Sequence, residues 1–289
     1  MKNKTFMSSF ILKLLAIIFM TCDHIGLLFL TPYAYTNSYL SIIYWILRIL
    51  GRFSLPIFAF LLSEGLVYTS SRLKYIFRLA IMAFIIGISI LVIENVSTTS
   101  IPLNNIFVDL CIGASLITCL ELPKVKKLYT LIPFLLFILS VINGYLTFLP
   151  TNALNTQYSF YGVTLILAFY YIKKLYKMYS TNYCKNYQID YEGFVLTDNN
   201  KFLSNIFASL ALIIVNLCCW MIFKVFPALD NFSYSIHIFS IFGFIFILFY
   251  NGKLGYAYRF EAVPEGNPTK EDDYVKAMDK LNSIIEKYI

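Results

Sequence analysis

Asp23 and His24 lie side by side within the apolar run FMTCDHIGLLFL, residues 19–30. An ionised side chain at the centre of a membrane helix costs about 2.5–3.5 kcal/mol on insertion scales, so such groups are usually paired or functional. A neutral imidazole can accept or donate a proton near pH 7. This pair therefore predicts proton-transfer chemistry at His24, beside a buried carboxylate.

A cation for Asp23 is found in the next apolar segment, which carries Arg48 and Arg52 four residues apart and hence on one helix face. Counted from the inner boundary at 1.5 Å per residue, His24 lies about 21 Å deep and Arg52 about 24 Å deep. We therefore expect an Asp23–Arg52 ion pair with His24 beside it. Pro56 predicts a kink near Arg52, because it cannot donate to that carbonyl. The alternative is that these charges only join the first two helices.

Three further polar residues interrupt apolar sequence. Glu64 lies near the inner boundary, where an ordinary interfacial salt bridge with Arg72 or Arg78 is expected if it does not line the site. Asp109 lies in the outer half of a later helix, where a carboxyl must line a cavity or be protonated. His237 lies near the outer end of the last apolar segment, where we expect a hydrated interfacial histidine.

Long apolar segments must position these side chains. The 289 residues are 59% hydrophobic and 13% charged, and the mean hydropathy is +0.70, whereas soluble domains are about 25% charged. This composition predicts an all-α, polytopic transmembrane helix bundle without a removable signal peptide. About eight spans are expected: residues 10–30, 40–67, 75–94, 103–121, 128–145, 158–179, 202–226 and 234–251.

Basic residues predict the orientation of this bundle. Apart from Arg48 and Arg52 within a span, and Lys224, every lysine and arginine falls in a terminus, in alternate connections, or in the span ends next to them. The positive-inside rule then places both the N-terminus and the C-terminus in the cytoplasm. We expect residues 1–255 to form the bundle and residues 256–289 a cytoplasmic charged tail with a short amphipathic helix. Basic loops beside anionic lipid explain the net charge of +7 without a nucleic-acid partner.

Familiar soluble active-site motifs are absent from the sequence. It has no glycine-rich phosphate loop, nucleophile elbow or metal-binding motif. The six cysteines show neither zinc spacing nor a disulfide framework, so no metal is expected.

Several segments together resemble the TraX family, whose namesake is the F-pilin acetylase of conjugation systems. They are DHIG, RILGRFSLPIFAFLLSEG, KYIFRL, NNIFVDL, TQYSFYGVTLIL and LFYNGKLG, in that order across about residues 10–255. Matching positions are Asp23, His24, Arg52, Glu64, Gly65, Arg78, Asn105 and Tyr158. The chain departs from the family at Asp109 and Gln157, and in having a charged tail where a further hydrophobic segment is common.

The resemblance implies an acyltransferase of the plasma or inner membrane that takes acetyl from cytosolic acetyl-CoA. His24 would be the base, Asp23 would orient it or pair with Arg52, and Arg52 or Asn105 would polarise the thioester carbonyl. A basic inner-face cluster would hold the CoA phosphates, although positive-inside topology also explains it: Arg72, Lys74 and Arg78. Other residues expected to line the site are Arg48, Glu64, Asp109 and Tyr158.

The acceptor stays open between a pilin or other peptide N-terminus and a surface glycan. Two functions of other classes also fit the sequence. One is a proton-coupled transporter with a relay of ionisable residues, although we find no internal repeat of the kind common in transporters. The other is a non-catalytic assembly factor of a conjugation or secretion system.

Overall fold

A computed structural model describes residues 4–34, 36–96, 105–123, 128–135, 137–138, 158–225 and 234–255. These residues are almost entirely helical, and the described ranges contain no named strand. The helices are α1 (Ser9–Ile25), α2 (Ser38–Gly51), α3 (Ser54–Tyr68), α4 (Arg72–Val96), α5 (Ile106–Leu120), α6 (Ser159–Tyr187), α7 (Tyr191–Leu196), α8 (Asp198–Val225), α9 (Tyr234–His237) and α10 (Phe244–Leu248). Helix α1 continues as a π turn (Gly26–Leu30) and a 3-10 turn (Thr31–Tyr33), and a 3-10 turn (Ile238–Gly243) joins α9 to α10.

Among the described residues, four segments are long and apolar enough to cross a membrane: Ser9–Tyr33, Ser38–Tyr68, Arg72–Ile93 and Asp198–Val225. Shorter apolar helices are Ile106–Leu120 and Ile238–Leu248. The predicted all-α transmembrane bundle is therefore confirmed, while the cytoplasmic placement of both termini stays a prediction. The predicted span at 128–145 is only partly within the described residues, and the predicted charged tail, 256–289, lies outside them.

The expected kink near Arg52 is present, and it divides the second span into α2 and α3. Pro56 stands in the first turn of α3, where its missing N–H is tolerated. The backbone N–H groups of Arg52 and Phe53 instead donate to the carbonyls three residues back, each at 3.1 Å. Ser54 Oγ donates to the Gly51 carbonyl at 2.8 Å. These local hydrogen bonds satisfy backbone groups at the break between the helices. Arg52 therefore lies at the joint between α2 and α3.

Helix α3 is the centre of the bundle. In the most apolar stretch of the α2–α3 span, 61% of the residues are buried. The corresponding shares are 17% in the α1 span and 11% in the α4 span. Helix α3 packs against α1 and α6, and α6 packs against α5 and α8. The exposed sides of α1 and α4 carry many large hydrophobic side chains. Such surfaces suit lipid, which is as apolar as the packed interior.

The last apolar segment returns beside the N-terminus. Phe6 and Met7 donate backbone hydrogen bonds to the Phe249 carbonyl, both at 2.9 Å, and Asn251 donates to the Met7 carbonyl at 2.9 Å. Near its start this segment approaches α3 so closely that a Cβ on Gly243 would lie 2.5 Å from Pro56 Cγ. The close approach brings α9 to the α2–α3 joint.

Candidate functional site

Asp23 lies in the last turn of α1 and is only 5% exposed. Its Oδ1 accepts from Arg48 Nη1 at 2.7 Å and also from Arg52 Nη2. Gly51 lets the two helices meet here, because a Cβ at that position would lie 2.3 Å from Asp23 Cβ. The predicted Asp23–Arg52 ion pair is confirmed, and Arg48 joins it.

The ion pairs of this cluster set two guanidinium groups against one carboxylate. Arg52 is 3% exposed, and its Nε donates to the Arg48 carbonyl at 3.1 Å. A guanidinium has five N–H donors in a rigid plane, so these contacts fix its orientation as well as its position. The cluster therefore carries more positive than negative charge among its own ion pairs, in an environment shielded from water.

His237 is the second histidine of the chain, and the prediction that it is hydrated at the membrane interface is wrong. Its side chain is buried, with 5% of the residue exposed. Arg52 Nη1 lies 3.1 Å from Nε2 and 3.2 Å from Nδ1 of this ring. Tyr158 packs edge-on against the ring, with centroids 5.3 Å apart. Hydropathy placed His237 at the end of a span, but the packing of Gly243 on Pro56 turns its segment inward.

His24 is half-buried, and its Nδ1 lies 2.7 Å from the Met20 carbonyl oxygen one turn back on α1. A carbonyl oxygen only accepts, so this nitrogen carries the proton. In the neutral ring, Nε2 is then the unprotonated nitrogen that can act as a base. The backbone of α1, rather than Asp23, orients this imidazole, and no described contact joins it to Asp23 or Arg52.

Asp109 and Asn105 are both fully buried near the start of α5. Asp109 Oδ2 accepts from the Tyr158 backbone N–H at 3.2 Å, which links α5 to the start of α6 and, through the tyrosine ring, to His237. Asn105 accepts from the Phe107 N–H at 3.1 Å as the N-cap of α5, and donates to the Ala83 carbonyl at 2.7 Å. Asp109 and Tyr158 thus extend the cluster, whereas the described bonds of Asn105 cap α5 and join it to α4.

The three basic residues predicted to bind CoA differ in their surroundings. Arg72 donates to the Tyr170 hydroxyl at 2.9 Å and to the Leu66 carbonyl at 3.2 Å. Lys74 and Arg78 are exposed and stand four residues apart, on one face of α4. Lys74 and Arg78 are therefore exposed at this end of α4, whereas Arg72 is bonded within the bundle.

Glu64 pairs with Lys173 of α6, so the expected salt bridge with Arg72 or Arg78 is wrong. Both side chains are largely buried, at 7% and 15% exposure. Lys173 Nζ also lies 4.5 Å from the centre of the Phe60 ring and 5.7 Å from that of Tyr250. The sequence favoured the basic residues nearest to Glu64 along the chain, whereas the packing of α6 against α3 brings in Lys173, which is distant in sequence.

The family described as TraX protein matches residues 8–243 of this chain. That range contains Asp23, His24, Arg48, Arg52 and His237. This chain belongs to the TraX family. One curated relative of this TraX protein is the probable fimbrial assembly protein FimC, serogroup H1, of Dichelobacter nodosus. The two are 40% identical over 72 residues, which are 25% of this chain and 27% of the relative, so the match spans about a quarter of that relative. No solved structure matches significantly.

Tyr161, Asn216 and Ser240 form a second buried set of polar side chains. Tyr161 follows Tyr158 by three residues, and Ser240 follows His237 by three. Ser240 Oγ donates to Asn216 Oδ1 at 3.1 Å, and Asn216 Nδ2 donates to the Tyr161 hydroxyl at 3.2 Å. Sequence reasoning missed both this triad and the role of His237. The available signal was polar spacing, since Tyr158 and Tyr161, like His237 and Ser240, are three residues apart.

Proposed function

We propose that this TraX protein is an integral membrane acetyltransferase that moves acetyl from cytosolic acetyl-CoA to an amine or hydroxyl acceptor. The acceptor would be the N-terminus of a pilin or another peptide, or a surface glycan. Family membership supports this function, because the namesake of the family acetylates F-pilin. The curated relative, named as a fimbrial assembly protein, favours a pilus-related acceptor.

The observation that carries the proposal is the buried cluster in which Arg48 and Arg52 share the carboxylate of Asp23. Attack on a thioester carbonyl produces an oxyanion, and a preorganised cation in a site shielded from water stabilises it strongly. Arg52 is held rigidly by its neighbours, so little reorganisation is needed when the charge develops. In the proposed reaction this guanidinium faces the developing oxyanion.

His24 is the proposed base, because its Nδ1 donates to the Met20 carbonyl and Nε2 is left to accept a proton. The acceptor's N–H or O–H proton passes to Nε2 while a C–N or C–O bond forms. The thioester C–S bond then breaks, and the same proton moves to the sulfur, so CoA leaves as the free thiol. Lys74 and Arg78 are the proposed contacts for the CoA phosphates.

The test is turnover of the purified protein in lipid nanodiscs with radiolabelled acetyl-CoA, offered a peptide with a free N-terminus or a membrane glycan fraction. His24→Ala is expected to abolish acetyl transfer while CoA binding is retained. Thr21→Ala is the matched control, since Thr21 is an exposed α1 residue bonded to its own helix, at the Ile17 carbonyl. Undiminished acetylation in the His24 variant removes His24 from the mechanism.

A non-catalytic role in pilus assembly is a second candidate, favoured by the name of the curated relative. It predicts that His24→Ala supports assembly as well as the unmodified chain does. Mass spectrometry of membrane peptides and glycopolymers, from cells with and without the gene, separates the two functions. An acetyl group that disappears with the gene supports the enzyme, and unchanged acetylation supports the assembly factor.

A further inference from the structure

Arg52 has a different partner at each of its terminal nitrogens. Nη2 donates to the Asp23 carboxylate, and Nη1 meets the ring nitrogens of His237 at 3.1 and 3.2 Å. We propose that His237 is a positioning residue, which holds the Arg52 guanidinium toward the reacting carbonyl without cancelling its charge. This inference rests on the proposed acetyltransferase function and deepens it.

The contact itself defines the state of His237. A guanidinium only donates hydrogen bonds, and a neutral imidazole has one unprotonated nitrogen, so only one of the two ring nitrogens near Nη1 can accept from it. A doubly protonated ring would present only N–H groups and a like charge at this distance. His237 is therefore a neutral acceptor, and it adds no negative charge to the cluster.

The ring of His237 is fixed from two sides. Tyr158 packs edge-on against it, and the backbone N–H of Tyr158 is anchored on Asp109 at 3.2 Å. On its own segment, the close approach of Gly243 to Pro56 sets the distance between α9 and the α2–α3 joint. A ring held in this way can fix Arg52 more firmly than a mobile side chain could.

A carboxylate would be the stronger partner if the contact served only to hold the fold. A buried, hydrogen-bonded ion pair attracts more strongly than a neutral hydrogen bond in a low dielectric. A carboxylate in direct contact with Arg52 Nη1 would, however, neutralise the positive charge that this guanidinium presents to an oxyanion. A neutral acceptor at position 237 therefore holds Arg52 without placing a counter-charge on Nη1, as the proposed role requires.

The experiment compares His237→Ala, His237→Asn and His237→Asp for kcat, for KM toward acetyl-CoA, and for thermal unfolding. A peptide with a free N-terminus serves as the acceptor. We expect the Ala variant to lose at least about tenfold in kcat, less than the hundredfold or more of a lost oxyanion donor, with little change in KM. The Asn variant, a neutral acceptor, should recover most of this loss. The Asp variant should be at least as heat-stable as Asn yet as slow as Ala.

Ser240→Ala is the matched control, because it breaks a buried hydrogen bond of the same segment, that of Ser240 with Asn216. It should lower the unfolding temperature and leave kcat unchanged. A purely structural role for His237 predicts that its variants also lower the unfolding temperature without changing kcat, or that the His237→Asn and His237→Asp variants have equal kcat.

Each of the remaining outcomes contradicts either the positioning role of His237 or the proposed acetyltransferase function. Full kcat in the Ala variant, or equal kcat in Asn and Asp, removes the positioning role. Failure of Asn to recover activity assigns His237 to proton transfer, which also contradicts positioning. If the Ala variant does not fold, the comparison of Asn with Asp still decides. An unmodified protein that transfers no acetyl to peptide or glycan overturns the proposed function, and the positioning role with it.

Discussion

At the scale of single residues, Arg48 of α2 and Arg52 at the α2–α3 joint have different roles although both contact Asp23. Arg48 meets the carboxylate through Nη1 at 2.7 Å. Arg52 meets the carboxylate, the ring of His237 and the Arg48 carbonyl through three different nitrogens. A single ammonium group cannot reproduce the rigid fork that makes these contacts.

Lysine at each arginine position therefore makes a matched pair of variants. Arg52→Lys is expected to lower kcat for acetyl transfer by about tenfold or more, because one point charge cannot reach both Asp23 and His237 in the required geometry. Arg48→Lys should cost less than about threefold, since a lysine can still supply a single ion pair. The measurement is steady-state turnover in nanodiscs. Equal losses in the two variants would contradict the division of roles.

Glu64 and Lys173 provide a second test at this scale, with stability as the readout. Removing one partner of a buried pair leaves an uncompensated charge and costs about 3–5 kcal/mol, while removing both costs much less. Glu64→Gln and Lys173→Met should each destabilise the protein strongly, and the double variant should recover most of the loss. Unfolding in mixed detergent micelles measures all three.

The neighbouring pair of Lys174 and Glu121 is the control for that cycle. It joins Nζ to Oε1 at 2.8 Å, but its side chains are 48% and 23% exposed. Screened pairs of this kind contribute about 1 kcal/mol or less. Comparable losses at the two pairs would show that Glu64 and Lys173 are not buried together.

At the scale of elements, the joint between α2 and α3 and the crossing of α1 with α2 determine where the charges meet. Proline prevents a continuous helix, and Gly51 removes the side chain that would keep Asp23 away from the arginines. Backbone approach, rather than side-chain attraction alone, brings α1 to α2.

Two glycines of this crossing test that statement. Gly51→Ala places a Cβ 2.3 Å from Asp23 Cβ, so it should force the helices apart, with lowered unfolding temperature and lost acetyl transfer. Gly26→Ala is the control, because its Cβ would lie 3.3 Å from Leu47 Cβ and requires only a slight shift. Near-normal activity in the Gly51 variant would mean that α1 and α2 do not approach as closely as the Gly51–Asp23 contact requires.

At the scale of the whole molecule, the bundle has a buried central helix and lipid-facing outer helices. The distribution of lysines and arginines predicts which ends of these helices face the cytoplasm. In the proposed function this orientation matters, because acetyl-CoA must reach the site from the cytoplasmic side.

Cysteine labelling tests the orientation directly. In a variant without native cysteines, Lys224→Cys is expected to react with a membrane-impermeant maleimide in intact cells. Lys185→Cys should react only after the membrane is permeabilised, since the positive-inside rule predicts that it lies in the cytoplasm. Both lysines are exposed in the structure, so burial does not limit labelling. The reverse pattern would invert the orientation.

The sequence by itself determined the helical membrane fold, because backbone groups in lipid must be satisfied within helices or closed barrels, and long apolar runs favour helices. It also determined the Asp23–Arg52 pair, since depth follows from the rise per residue, and the kink, since proline lacks an N–H. Only the tertiary structure decided that His237 meets Arg52 and that Lys173 meets Glu64. In a membrane protein, packed and lipid-facing surfaces are both apolar, so hydropathy does not reveal which helices are neighbours. Partners far apart along the chain therefore emerge only when the helices are packed together.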